Sequence, residues 1–191
     1  MNNFLIFGPP GSGKGTQSVK LASLFKLIHL STGDMLREEV DANTGLGKEV
    51  SDIMKKGELV PDEIVIRMIS NRIDANPRAA GFIFDGFPRT VDQARALDDA
   101  LAARNTSISK MLVLDVDHDE LVKRLLARAE ESNRPDDKDV AVIENRIEVY
   151  RKKTRPVITY YKDQGKYMPV DGMGDIDEIF SRLVNILEDC I

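Results

Sequence analysis

The chain has 191 residues, 42% of them hydrophobic and 31% charged, which suits one globular unit with room for a small mobile insertion. Its formal net charge of -5 argues against a general binder of nucleic acid or acidic membrane, since those surfaces demand an excess of Lys and Arg. Any anionic ligand must therefore meet cations clustered locally.

Residues 3–7 form a short apolar run closed by Gly8 and read as a buried strand. A helix follows over 14–25, with Val19, Leu21, Ala22, Leu24 and Phe25 at helical spacing. Residues 28–30 give a second strand, and a helix should begin after Thr32, with Met35 and Leu36 facing inward. Thr44-Gly45-Leu46-Gly47 interrupts the helical pattern, as does Gly57 followed by Pro61. From Asp62 onward, Ile64, Val65, Met68 and Ile69 stripe another helix. Strands at 81–85 and 111–115 then alternate with helices at 91–101 and 119–129. Residues 130–138 are polar and read as an exposed loop. A long helix over 140–161, bent near Pro156, leads to a fifth strand at 166–170 and a closing amphipathic helix carrying Ile176, Ile179, Phe180, Leu183, Val184 and Leu187. Short apolar strands alternating with helices predict an α/β fold with a parallel sheet, whose ligands bind beyond the carboxyl ends of the strands.

No apolar run approaches the ~20 residues that cross a bilayer. The first residues read as a strand running into a glycine loop, not as a secretory leader. The single cysteine, Cys190, cannot form an internal disulfide or a thiolate zinc site. The cytoplasm is the expected compartment. A monomer is the expected state, since no long exposed apolar stripe suggests an obligate dimer.

Gly8-Pro9-Pro10-Gly11-Ser12-Gly13-Lys14-Gly15-Thr16 lies between the first strand and the first helix. Glycines there let successive backbone N–H groups point into one hollow, and the helix N-terminus adds its partial positive charge. Lys14 supplies a full charge for terminal phosphates. The match to the phosphate-loop pattern is imperfect: Gly15 stands where a hydroxyl is usual, and Thr16 comes one residue later. Mg²⁺ tolerates this, because it keeps several waters and takes few protein ligands. A plain glycine turn is the competing reading.

In order along the chain stand this Gly-Lys-Gly-Thr loop, Leu30-Ser31-Thr32-Gly33-Asp34, Phe84-Asp85-Gly86-Phe87-Pro88-Arg89-Thr90 and Arg134-Pro135-Asp136-Asp137. With these motifs the sequence resembles the adenylate kinase family of nucleoside-monophosphate kinases over essentially its whole length. The resemblance implies a P-loop five-stranded parallel sheet flanked by helices, with a mobile helical acceptor segment and a short lid. It divides the chain into a core (1–30, 61–127 and 139–191), an acceptor segment (31–60) and a lid (128–138). The implied reaction passes the terminal phosphoryl group of ATP reversibly to AMP, giving two ADP.

The resemblance also assigns residues. ATP phosphates would meet Gly11, Ser12, Gly13, Lys14, Gly15, Thr16 and Arg128, with Gly174 near the same nucleotide. AMP would meet Thr32, Arg37, the stretch Glu58, Leu59 and Val60, then Gly86, Phe87, Pro88, Arg89 and Gln93. Arg124, Arg128, Arg134 and Arg146 would grip phosphates across both nucleotides. The Phe87–Pro88 peptide would be cis. Thr32 favours AMP, since relatives acting on UMP or CMP typically carry alanine there.

Each assignment has a plainer reading beside it. Thr32 or Asp34 caps a helix, Arg37 and Gln93 lie on solvated faces, and exposed arginines usually have no catalytic role. Arg124 and Arg128, four apart, project from one helix face. The short lid lacks the zinc cysteines of long bacterial forms, so no zinc site is expected.

Phosphoryl transfer depends on positioning and on charge stabilisation. The AMP phosphate is already ionised, so no general base is needed, and neither His29 nor His118 requires a role. Asp85, ending the third strand, is the natural partner of Mg²⁺ through water. Lid closure would exclude water as a competing acceptor. Two rivals stand: a kinase for UMP, CMP or a non-nucleotide acceptor on the same fold, and a P-loop switch that hydrolyses nucleotide slowly.

Overall fold

Five apolar runs become the strands β1 (Asn2–Phe7), β2 (Ile28–Ser31), β3 (Gly81–Asp85), β4 (Ile108–Asp115) and β5 (Tyr167–Asp171) of the computed structural model, which describes residues 1–131 and 139–190. They pair in parallel throughout, in the order β2-β3-β1-β4-β5. Parallel neighbours cannot be joined by a tight hairpin, and the crossovers are helical. The helices are α1 (Lys14–Phe25), α2 (Thr32–Asp41), α3 (Gly45–Lys55), α4 (Asp62–Asp74), α5 (Val91–Ala102), α6 (His118–Glu131), α7 (Val140–Val149), α8 (Pro156–Lys162) and α9 (Ile176–Glu188).

Strand β1 lies between β3 and β4, so the order of strands reverses there and a crevice opens beyond its carboxyl end. The register aligns those ends: Ser31 and Ile6 both stand beside Asp85, and Asp115 stands beside Asp171. Residues just past the strands therefore share one rim.

Alternate residues on the strands bury opposite faces. Leu5, Phe7, Phe82, Phe84, Met111 and Val113 pack with apolar residues of α4, α5 and α8. Phe4, Ile6, Ile83, Leu112 and Leu114 pack with α1 and α9. Each such side chain, fully buried, contributes roughly 1.5–3 kcal/mol, and the two layers fix the sheet from both sides. A third, small cluster of Leu125, Ile143 and Ile147 joins α6 to α7.

Several elements depart from the sequence expectation. Thr44-Gly45-Leu46-Gly47 does not simply break a helix: the Thr44 hydroxyl accepts from the Gly47 N–H and starts α3. A Cβ at Gly47 would lie 2.0 Å from the carbonyl oxygen of Glu39, so this glycine lets α3 pack against the backbone of α2. Strand β4 begins at Ile108, ahead of the expected 111, across a register shift in its pairing with β1. Helix α6 runs to Glu131, so residues 128–131 continue a helix, while 132–138 lie outside the described residues.

The long helix is broken before Pro156, not at it. Tyr150–Thr154 forms a π-helical turn in which Arg155 N–H donates to the Tyr150 carbonyl at 2.8 Å. Pro156, lacking an N–H, opens α8. Among the described residues, no helix is long and apolar enough to cross a membrane.

Candidate nucleotide site

The glycine loop leaves β1 at the centre of the rim. Gly11 and Gly13 hold φ of 84° and 87°, left-handed conformations that a side chain disfavours. At Gly11 a Cβ would also lie 2.8 Å from the Leu121 carbonyl oxygen and 2.9 Å from Leu125, so the loop sits directly on α6. Gly13 is the left-handed residue preceding α1, a helix start whose first N–H groups lack partners within the helix. Ser12 is buried, and among the described residues its Oγ has no hydrogen-bond partner. Gly15 and Thr16 open α1, with Gly15 facing Asp85 and Thr16 exposed.

Lys14 crosses the loop, its Nζ donating to the Pro9 carbonyl at 3.2 Å. Burial pulls its ammonium down to about 7; the Asp85 carboxylate opposes this, while Arg89, Arg146 and Arg128 reinforce it. Those three guanidinium groups thus act on the lysine from α6, α7 and the turn after β3. This is the local cluster of cations that an acidic chain needs for an anionic ligand.

Beside the loop lies an open hollow of about 590 Å³, lined by Thr32, Arg37, Glu58, Leu59, Val60, Gly86, Arg89, Gln93 and Arg146 among others. Gly86 is its pivot. Its φ is 72°, and its carbonyl accepts from the Thr32 hydroxyl and from Arg89 Nε, each at 2.8 Å. Two side chains from different elements are thereby fixed by one backbone oxygen. The Phe87–Pro88 peptide is cis, with Phe87 buried. A second hollow of about 500 Å³ runs under the phosphate loop and is lined by Lys14, Gly57, Leu59, Gly86, Pro88, Arg89, Arg146 and Tyr150. Gly57, Leu59, Gly86, Arg89 and Arg146 line both.

Some residues serve otherwise than the sequence suggested. The cap of α2 is Ser31, whose Oγ accepts from Asp34 N–H, which leaves Thr32 to bind Gly86. Arg37 lines the hollow while paired with Asp34. Gln93 is not on a solvated face: it is buried, its Oε1 accepts from Arg89 N–H at 2.7 Å, and its Nε2 donates to Asp62 at 2.7 Å. Asp62 also accepts from Thr90, so a carboxylate that sequence reading passed over braces this wall.

Arg124 does not join the cluster around Lys14. It pairs with Glu120 and donates to the carbonyls of Gly172 (3.1 Å) and Gly174 (3.5 Å), in the loop after β5. It thus reaches Gly174, held at φ 106°, not the phosphate loop. Arg134 lies outside the described residues. Leu36, Met54 and Val65 add an apolar side to the first hollow that no motif marked. Helical spacing read Leu36 and Val65 only as inward-facing, and Met54 drew no reading.

Asp85 is buried at the end of β3, 3.5 Å from His29 Nε2. A buried carboxylate facing the start of α1 suits Mg²⁺ held through water beside a phosphate chain. Among the described residues no group of three or more His, Cys, Asp or Glu could hold a metal on protein ligands alone.

A glycine loop opening a helix at the switch point of a 2-3-1-4-5 parallel sheet, ringed by Lys and Arg, defines the class of P-loop phosphotransferases. A family model described as Adenylate kinase matches residues 6–166. The chain is 49% identical over 183 residues to an adenylate kinase of Parabacteroides distasonis, covering 96% of each. It is also 49% identical over 187 residues to one of Maricaulis maris, covering 98% of this chain and 99% of the relative. An adenylate kinase of Flavobacterium johnsoniae is 45% identical over 188 residues, at 98% and 99% coverage. The chain belongs to the adenylate kinase family.

Proposed function

We propose that the first hollow takes AMP and that the glycine loop takes the phosphates of ATP, with the two phosphate chains meeting over their common wall. The enzyme passes the terminal phosphoryl group of ATP reversibly to AMP, giving two ADP, the reaction that defines its family. One observation carries this arrangement: Arg89 and Arg146 line both hollows, beside Lys14. A cation in that position touches donor and acceptor together, as in-line transfer requires.

Each group has a task. Backbone N–H groups from residues 11–16 cradle the donor phosphates, and Lys14 and Arg128 neutralise their ends. Arg37 and Arg89 bind the acceptor phosphate, with the planar fork of a guanidinium matching two oxygens. Thr32, residues 58–60 and Gln93 border the acceptor ribose and base over Leu36, Met54 and Val65. Gln93 then exchanges or shares the partners that it now holds. Arg146 follows the phosphoryl group as charge shifts between nucleotides. Asp85 would hold Mg²⁺ through water, where the ion would supply charge neutralisation at the phosphate oxygens. No side chain must take a proton, since the attacking oxygen is already ionised.

The segment 31–60 moves as the acceptor-binding part on a core that includes 1–30 and 61–127. The proposed working form is a monomer in the cytoplasm. A coupled assay offering AMP, UMP, CMP and GMP with ATP and Mg²⁺ tests the reading. AMP should be the preferred acceptor. Preference for UMP or CMP would move the protein to a sister activity, and nucleotide binding with no transfer at all would leave the switch reading.

A further inference from the structure

Helix α3 ends in a left-handed cap. Gly57, at φ 71°, donates its N–H to the Met54 carbonyl, and Glu58 donates to that of Ile53. This pair of bonds closes the helix and starts the wall 57–60 of the first hollow. Such a cap leaves the last carbonyls without helical partners. One of them is taken from outside: Asn145 on α7 donates its side-chain amide to the Lys56 carbonyl at 2.8 Å. The next residue of α7 is Arg146, and its stem packs against the same cap. A Cβ at Gly57 would lie 2.5 Å from Arg146 Cγ, 3.2 Å from its Cδ and 3.4 Å from Val142 Cγ1.

We infer that Asn145 is a positioning residue for acceptor binding: it latches the α3 cap to α7, so that the acceptor wall and the Arg146 guanidinium are placed as one unit. The inference rests on reading the first hollow as the AMP site. Asn145 and Arg146 are adjacent in sequence, and they touch adjacent residues, Lys56 and Gly57, of an element 89 positions away. Movement of α3 away from α7 must break the amide bond and withdraw Arg146's packing partner together. The bond is exposed, so water partly replaces it, and its effect should be graded.

Steady-state kinetics on Asn145→Asp, which keeps the shape and removes the donor, reads this directly. KM for AMP should rise roughly threefold to tenfold, the range of one net hydrogen bond. KM for ATP, measured at saturating AMP, and the melting temperature should stay at the parent values. Asn145→Gln, which restores a donor, should recover part of the loss. Gly57→Ala, whose methyl displaces the Arg146 stem, should lower kcat as well. An unchanged KM for AMP in Asn145→Asp overturns the latch, and so does an equal rise for both nucleotides with a lowered melting temperature. If the unaltered protein fails to use AMP, the acceptor reading falls and takes this inference with it; normal parent activity with indifferent variants removes the latch alone.

Discussion

The phosphate loop and the acceptor hollow meet at one rim but are built from different material. The loop is backbone: left-handed glycines, a helix start and a single lysine. The hollow is side chain: Thr32, Arg37, Arg89 and Gln93, each held by a partner such as Asp34, Asp62 or the Gly86 carbonyl. Backbone N–H groups bind any phosphate and cannot be exchanged by substitution, whereas side chains can be tuned one at a time. On the proposed reading, affinity for a phosphate chain is set on one side, and choice of acceptor on the other.

The largest effect should come where the two materials touch. Arg89→Ala is expected to lower kcat by about 10²–10³, the cost of one preorganised charge donor, while the melting curve stays near that of the parent. A purified variant with near-normal turnover would contradict the shared wall. Next come the loop glycines. Gly11→Ala combines left-handed strain with overlap on Leu121 and should cost about 2–4 kcal/mol in urea unfolding. Gly13→Ala meets nothing within 4 Å and should cost only the strain, about 1–2 kcal/mol. Equal costs would show that packing against α6 is irrelevant.

Thr32→Ala probes the other material. Losing the bond to the Gly86 carbonyl should raise KM for AMP by roughly twofold to tenfold and leave KM for ATP unchanged, narrowing the margin over UMP and CMP. The smallest effect is a proton. Lys14 is held down to about 7, so the folded protein releases a proton that the unfolded chain keeps until near pH 10. Its contribution to stability therefore increases as pH rises from about 7 to 10. A bound phosphate chain raises the pKa again, so binding ATP near pH 8 should take up a fraction of a proton, and affinity should fall as pH climbs past about 7. Titration calorimetry in buffers of different ionisation enthalpy measures that uptake, and Lys14→Met should abolish it.

The same division decides what could be read from sequence. Strands showed as short apolar runs, and the loop showed as glycines ahead of a lysine, because backbone needs leave local marks. The cis Phe87–Pro88 bond followed from the family resemblance. Partnerships between side chains did not show. Helical spacing put Arg124 and Arg128 on one face, yet it could not say that Arg124 reaches the carbonyls after β5 while Arg128 acts on Lys14. Apart from the resemblance, periodicity read Gln93 as a solvated amide, because Asp62, 31 positions away, is invisible to it. Gly47 looked like a breaker, since composition does not distinguish a turn from a close approach of two helices.

Among the described residues, the arm made of α6 and α7 has for its own core only Leu125, Ile143 and Ile147, with Val122 partly covered. The sheet rests on two much broader layers. Local opening is cheapest where little apolar surface is lost, so amide hydrogens of this arm should exchange sooner than those of β1 or β3. A lineage moving to colder or hotter water could reset the arm's motion by adding or deleting a methyl group at Ile143 or Ile147, leaving every nucleotide-facing atom as it is.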